Sequence, residues 1–136
     1  AFWPNQRAEQ NPMAALINSK RKYVVSNTLG TTDWENSTIV GGDLATEIPK
    51  LKDRSGGDLL VSGSITLVQS LLAQNLLDEL SLMVHPLVLG NGRRLLDSID
   101  GTKRLELVES KSFGSGVVSL AYRRASDGDG TAEQEP

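Results

Sequence analysis

The chain has 136 residues, 38% hydrophobic and 23% charged, which is enough apolar material for one globular core and excludes a wholly disordered polymer. With no cysteine and one histidine it excludes a disulfide scaffold, Cys-ligated zinc, iron–sulfur clusters and thiol catalysis, and no metal site is expected. The net charge of −3 sits in the last ten residues, where Asp127, Asp129, Glu133 and Glu135 face no base; the remaining 14 bases and 13 acids offer no basic face for nucleic acid.

Lys22-Tyr-Val-Val-Ser26 is the first β-rich run, and Ser37-Thr-Ile-Val40 is a second, stopped by Gly41-Gly42. Leu44 to Arg54 reads as a helix that Asp43 can cap. Pro49 removes a hydrogen bond inside it, so the helix either starts later, with Thr46 as cap, or is kinked. Leu59-Leu-Val61 suits a strand buried on both faces. Ser64 can cap the next helix, which carries Ile65, Val68, Leu72 and Leu76 on one stripe with Leu67 and Leu71 beside it. Glu79 to His85 alternates as a strand, and Pro86 limits its pairing. Arg104–Phe113 and Val117–Arg124, joined through Gly114-Ser115-Gly116, predict a hairpin. The small, polar and acidic stretch from Ala125 to Pro136 is expected to be a flexible tail.

These elements predict an α/β fold with a mixed sheet, parallel in its middle and antiparallel at its C-terminal edge. No apolar run approaches the ~18 residues of a membrane span, and no signal-peptide pattern opens the chain. Together with the absence of cysteine, this gives an expected cytoplasmic location without membrane partners.

The sharpest chemical feature is the run from Leu59–Val61 through Ser62-Gly63-Ser64 into an amphipathic helix. A helix start exposes unpaired N–H groups and the positive dipole end, and a glycine lets a ligand approach the backbone, so a phosphate suits this turn. A short strand-to-helix turn with a good N-cap has the same sequence. Gly90-Asn91-Gly92 is too short for a dinucleotide fingerprint and reads as a tight turn, although Arg93 and Arg94 after it can meet an anion. His85 lacks any nucleophile elbow, and Asp78 and Glu79 point to opposite faces if they lie on a strand. Lys20-Arg21-Lys22 reads as a solvated entry to the sheet, while Trp3 and Trp34 are expected to cover core edges.

Several stretches recur together in order and spacing: Lys22-Tyr-Val-Val-Ser-Asn-Thr-Leu29, Trp34-Glu-Asn-Ser-Thr38, Gly57-Asp-Leu-Leu-Val-Ser-Gly-Ser64, Leu77-Asp-Glu-Leu80, Pro86-Leu-Val-Leu-Gly-Asn-Gly92 and Phe113-Gly-Ser-Gly-Val117. As a set they resemble the dihydrofolate reductase-like proteins related to the C-terminal reductase domain of the bifunctional riboflavin-biosynthesis deaminase/reductase. The resemblance covers roughly residues 1–124, which it implies form one dihydrofolate reductase-like domain, N-terminally incomplete. It implies a three-layer mixed sheet with helices on both faces, NADPH as cofactor and hydride transfer to a small heterocyclic or carbonyl-containing substrate.

By position, the resemblance places Gly63, Ser64, Ile65 and Thr66 at the cofactor pyrophosphate. It places Ser26, Asn27 and Thr28 near the adenosine ribose and its 2′-phosphate, where hydroxyl and amide donors suit phosphate oxygens. Family members carry a further stretch before the segment matching Ala1-Phe-Trp-Pro4, which supplies a strand from the middle of the sheet and much of the substrate pocket. The expectation is therefore one of three: residues absent here from the parent protein, a segment swapped in from a partner, or direct pairing of the strands flanking the gap. No catalytic acid or base is assigned. The leading functional expectation is an NADPH-dependent reductase acting as a homodimer. The alternatives are a non-catalytic, shortened relative serving as a dimeric scaffold, and a binder of another phosphorylated metabolite or nucleotide at the Ser64 helix start.

Overall fold

The computed structural model describes residues 6, 11–54, 56–97 and 99–125. Trp3 and the acidic tail after Ala125 lie outside the described residues. The chain divides into two units, Ala1–Leu59 and Leu60–Pro136.

The first unit opens with α1 (Pro12–Ser19), an element the strand-centred reading overlooked. Asn11 caps it, its Oδ1 accepting the Met13 N–H at 3.1 Å, and Pro12 takes the first helical position, where its missing N–H costs nothing. β1 (Lys22–Val25) and β2 (Ser37–Val40) then pair in parallel, with Lys22 opposite Ser37 and Val25 opposite Val40. Among the described residues, the buried side chains of this unit are Ala14, Val40 and Leu51.

Lys22 departs from the solvated role expected for the basic run. Its ammonium donates to the carbonyls of Ile17, Asn18 and Lys20 at 3.1, 3.1 and 2.8 Å, and it stands 5.0 Å from the centre of the Trp34 ring. It thus satisfies carbonyls that the end of α1 leaves unpaired. Burial pushes its pKa below the usual lysine value, against the opposing charge of Glu35. Trp34 is itself tied down, its indole N–H donating to Asn18 Oδ1 at 2.8 Å.

α2 (Leu44–Lys52) starts at Leu44 with Asp43 in the cap position, so the later start at Thr46 does not occur. Thr46 instead donates its hydroxyl to Asp43 Oδ2 at 3.2 Å. The helix runs through Pro49, which forfeits only the bond that residue 49 would have given to the Ala45 carbonyl; the Pro49 carbonyl still accepts the Asp53 N–H at 2.9 Å.

In the second unit, α3 (Ile65–Ala73) buries Leu71 and Leu72. It ends in a left-handed residue, Asn75 (φ 56°), with the Leu76 N–H returning to the Leu71 carbonyl at 2.8 Å and the Asn75 N–H to the Leu72 carbonyl at 3.2 Å. Leu76 therefore lies beyond the helix rather than on its stripe. Lys103 and Arg124 complete the helix end, donating to the Ala73 carbonyl at 3.1 Å and the Asn75 carbonyl at 2.6 Å.

β3 (Glu79–Val84), β4 (Leu105–Ser112) and β5 (Val118–Arg124) form an antiparallel sheet in the order β3-β5-β4, with Leu80 buried and an irregularity between Leu107 and Glu109. The β4–β5 hairpin turns where Gly114-Ser115-Gly116 predicted it. Gly116 has φ 83°, and a Cβ there would lie 3.2 Å from the Pro86 ring.

The fold is mixed α/β, with the parallel and antiparallel ladders in separate sheets. Leu59–Val61 is not a strand: it pairs with none of the described strands, and Leu60 is 91% exposed. Apolar composition favours burial, but a strand exists only where a neighbour completes its ladder.

Candidate functional site

The sequence-predicted site residues fall into two clusters, one in each unit. In the first unit the chain leaves β1 at Ser26 and doubles back on its own side chains. Ser26 Oγ accepts the N–H groups of Thr28 and Leu29 at 3.3 and 3.0 Å, and Asn27 Oδ1 accepts the Gly42 N–H at 2.7 Å. The Ser26 N–H meanwhile reaches the Val40 carbonyl at 3.1 Å, so the loops after both parallel strands are fastened together. Gly41 sits close at this closure: a Cβ would stand 3.3 Å from the Ser26 carbonyl oxygen, a tight contact. The sequence reading treated Gly41-Gly42 as no more than a strand stop. Ser26 Oγ and Thr28 Oγ1 stand 3.5 Å apart and one donates to the other, so the donors that remain are the second hydroxyl and the Asn27 side-chain N–H groups.

The second cluster is the opening of α3. Gly63 has φ 105° and leads into Ser64 across a cis peptide; Ser62, Gly63, Ser64 and Thr66 are all exposed. Ser64 occupies the cap position, and its carbonyl accepts the Val68 N–H at 3.1 Å, but its hydroxyl makes no capping bond. The first amides of the helix, at Ile65, Thr66 and Leu67, consequently point out of the helix end with no side chain returned to them. A Cβ placed on Gly63 would meet no atom within 4 Å, so the approach is open.

The loop 90–97 comes to the same helix. Arg93 donates from Nη2 to Thr66 Oγ1 at 3.2 Å, and Gln69 donates to the Arg94 carbonyl at 3.1 Å. Gln69, Asn91, Gly92, Arg93, Arg94 and Asp97 line an open cleft of about 560 Å³. Gly92 carries the positive φ, 144°, expected of the turn. Sequence flagged this arginine pair but not its destination.

The other candidates do not assemble. His85 is exposed beyond the end of β3, and its ring makes no hydrogen bond among the described residues. Glu79 lies on β3 opposite Arg123, with Asp78 just before the strand. No group of three His, Cys, Asp or Glu side chains among the described residues could hold a metal, and no helix among them is long and apolar enough to cross a membrane.

Residues 1–119 match the RibD C-terminal domain model. The chain belongs to that family. It is 34% identical over 107 residues to the uncharacterized protein YyaP of Bacillus subtilis (strain 168), covering 79% of this chain and 56% of YyaP. It is 28% identical over 106 residues to the uncharacterized protein YwjB of the same organism, covering 78% of this chain and 60% of YwjB. The chain thus spans less than two thirds of the length of these relatives.

Among solved structures, a protein of Shewanella sp. PV-4 provisionally assigned to riboflavin biosynthesis superposes with a TM-score of 0.71 at 22% identity, over 86% of this chain and 71% of its own. A pyrimidine reductase-like protein of Corynebacterium diphtheriae gives 0.60 at 15% identity, over 93% and 60%. The fold is therefore shared with these structures, in keeping with the RibD C-terminal domain that the chain matches.

Proposed function

We propose that this chain forms the cofactor-binding part of an NADPH-dependent reductase that delivers a hydride to a small heterocyclic or carbonyl-containing substrate. One observation carries the reading: the open, uncapped start of α3 after Gly63, with amides free to receive a pyrophosphate. In the first unit, taken by itself, Asn27 and the hydroxyl left over from the Ser26–Thr28 pair offer donors, and a ribose 2′-phosphate presents only acceptors. When bound, the nicotinamide supplies the hydride; the work of this chain is to bind and orient it, holding the reacting partners in register. Titration with NADPH, followed by its fluorescence, is expected to saturate in a well-folded sample. A flat titration ends the cofactor reading.

A dimeric, non-catalytic scaffold is the second reading, favoured by one feature. Leu87, Val88 and Leu89 follow one another at 73%, 101% and 81% exposure, an apolar run that monomers rarely leave in water. A homodimer would cover it, and sedimentation of the wild type beside Val88→Asp distinguishes a dimer from a monomer. The cytoplasm remains the proposed location.

A further inference from the structure

The cleft beside α3 contains more positive charge than the fold uses. Arg93 and Arg94 line it together with Asn91, Gln69 and a single carboxylate, Asp97, and among the described residues neither guanidinium is in an ion pair. Guanidinium groups stay protonated at every accessible pH, so the cleft carries a permanent positive balance. Arg93 is also held at its guanidinium, and Arg94 at its backbone. Arg93 Nη2 is fixed on Thr66 Oγ1 at 3.2 Å, and the Gln69 side chain clips the Arg94 carbonyl at 3.1 Å. With one of its five N–H donors spent on Thr66, Arg93 keeps four for an acceptor.

We infer that this cleft is an anion subsite in which Arg93 grips a phosphate of the ligand seated at the first turn of α3, with Arg94 adding charge from the rim. The inference rests on the reading of that turn as a pyrophosphate cradle and adds to it a side chain from a different part of the chain. A guanidinium fork matches phosphate oxygens in a way backbone amides alone do not, which makes Arg93 a specificity-determining residue for phosphate-bearing ligands.

The test uses the full chain at low ionic strength, with inorganic pyrophosphate and NADPH as separate probes read by calorimetry. Wild type is expected to saturate with both, and Arg93→Ala to bind each about tenfold or more weakly, as loss of a charge-assisted hydrogen bond implies. Arg93→Lys, which keeps the charge but not the fork, is expected between the two. Thr66→Val, which frees Arg93 without removing it, should lose less than Arg93→Ala. Adenosine, which has no phosphate, should bind wild type and Arg93→Ala alike. Unchanged pyrophosphate affinity in Arg93→Ala, or no saturation in wild type, overturns the subsite. Equal NADPH binding by wild type and Arg93→Ala removes the subsite and leaves the reductase reading intact. Arg93-dependent pyrophosphate binding without NADPH binding does the reverse.

Discussion

The loop after β1 and the turn before α3 are both short, polar and bounded by glycine, yet they treat their backbone groups in opposite ways. The first closes on itself: Ser26 and Asn27 together take three N–H groups, from Thr28, Leu29 and Gly42. The second leaves the opening amides of its helix bare, although Ser64 stands in the cap position. The contrast separates two uses of the same residue types. Side-chain oxygens that accept from the backbone build a rigid edge and turn their donors outward; a helix start that receives no side chain keeps its donors for something else.

Gly63→Val attacks the bare turn hardest. A β-branched residue at φ 105° is strained, at a cost of order 1–3 kcal/mol, and its methyl groups would occupy space that is open beside the turn. NADPH affinity is expected to fall at least about tenfold, or ~1.4 kcal/mol, in fluorescence titration. If binding survives, the bare turn is not where the phosphate sits.

Asn27 offers the matching attack on the closed loop and divides its two roles. Asn27→Ala removes the acceptor of the exposed Gly42 N–H and is expected to lower stability by about 0.5–1 kcal/mol in urea denaturation. Asn27→Asp keeps the accepting oxygen and most of that stability, but replaces outward donors with negative charge. NADPH binding should then weaken while the unfolding midpoint stays near wild type.

How far the sequence reached follows the same division. The β4–β5 hairpin was readable because turn residues and alternation coincide there, and the α3 opening because Gly63-Ser64 precedes a 3.6-residue stripe. Leu59–Val61 misled because its composition speaks of burial, whereas a strand needs a neighbour that local sequence does not name. Of the two readings Pro49 allows, the later start does not occur, since one forfeited bond is a local cost that the rest of α2 tolerates. The signal for α1 is Asn11-Pro12 ahead of a short apolar run, a cap and first-turn proline that stand outside the strand-rich pattern of the unit. The Asn27–Gly42 and Thr66–Arg93 contacts join residues 15 and 27 apart, separations at which residue patterns say nothing about who meets whom.

Caps sharpen the contrast at smaller scale. Asn11→Ala removes a side-chain bond that α1 uses and is expected to cost ~1 kcal/mol. Ser64→Ala removes a hydroxyl that α3 does not use, and should stay within about 0.5 kcal/mol of wild type in the same denaturation. A loss at Ser64 as large as that at Asn11 would mean the α3 amides are capped after all.

The smallest expected effect concerns where each unit directs its arginines. The Arg21 and Arg54 side chains act on the Tyr23 hydroxyl and hold its pKa below the usual tyrosine value, with the Arg54 guanidinium 5.9 Å from the ring centre. Arg93 and Arg94 have no such anionic partner in their own unit among the described residues. Because Tyr23 releases its proton earlier when folded, the unfolded chain holds more protons between the lowered value and the ordinary one near 10. Stability should therefore rise slightly with pH across that alkaline window and lose the increment as pH falls through the folded value. Tyr23→Phe should flatten the slope, and Arg54→Ala should move the tyrosinate absorbance of Tyr23 toward higher pH. If the absorbance does not move in Arg54→Ala, that arginine is not engaged by Tyr23, and the distinction between the occupied cations of the first unit and the available ones of the second disappears.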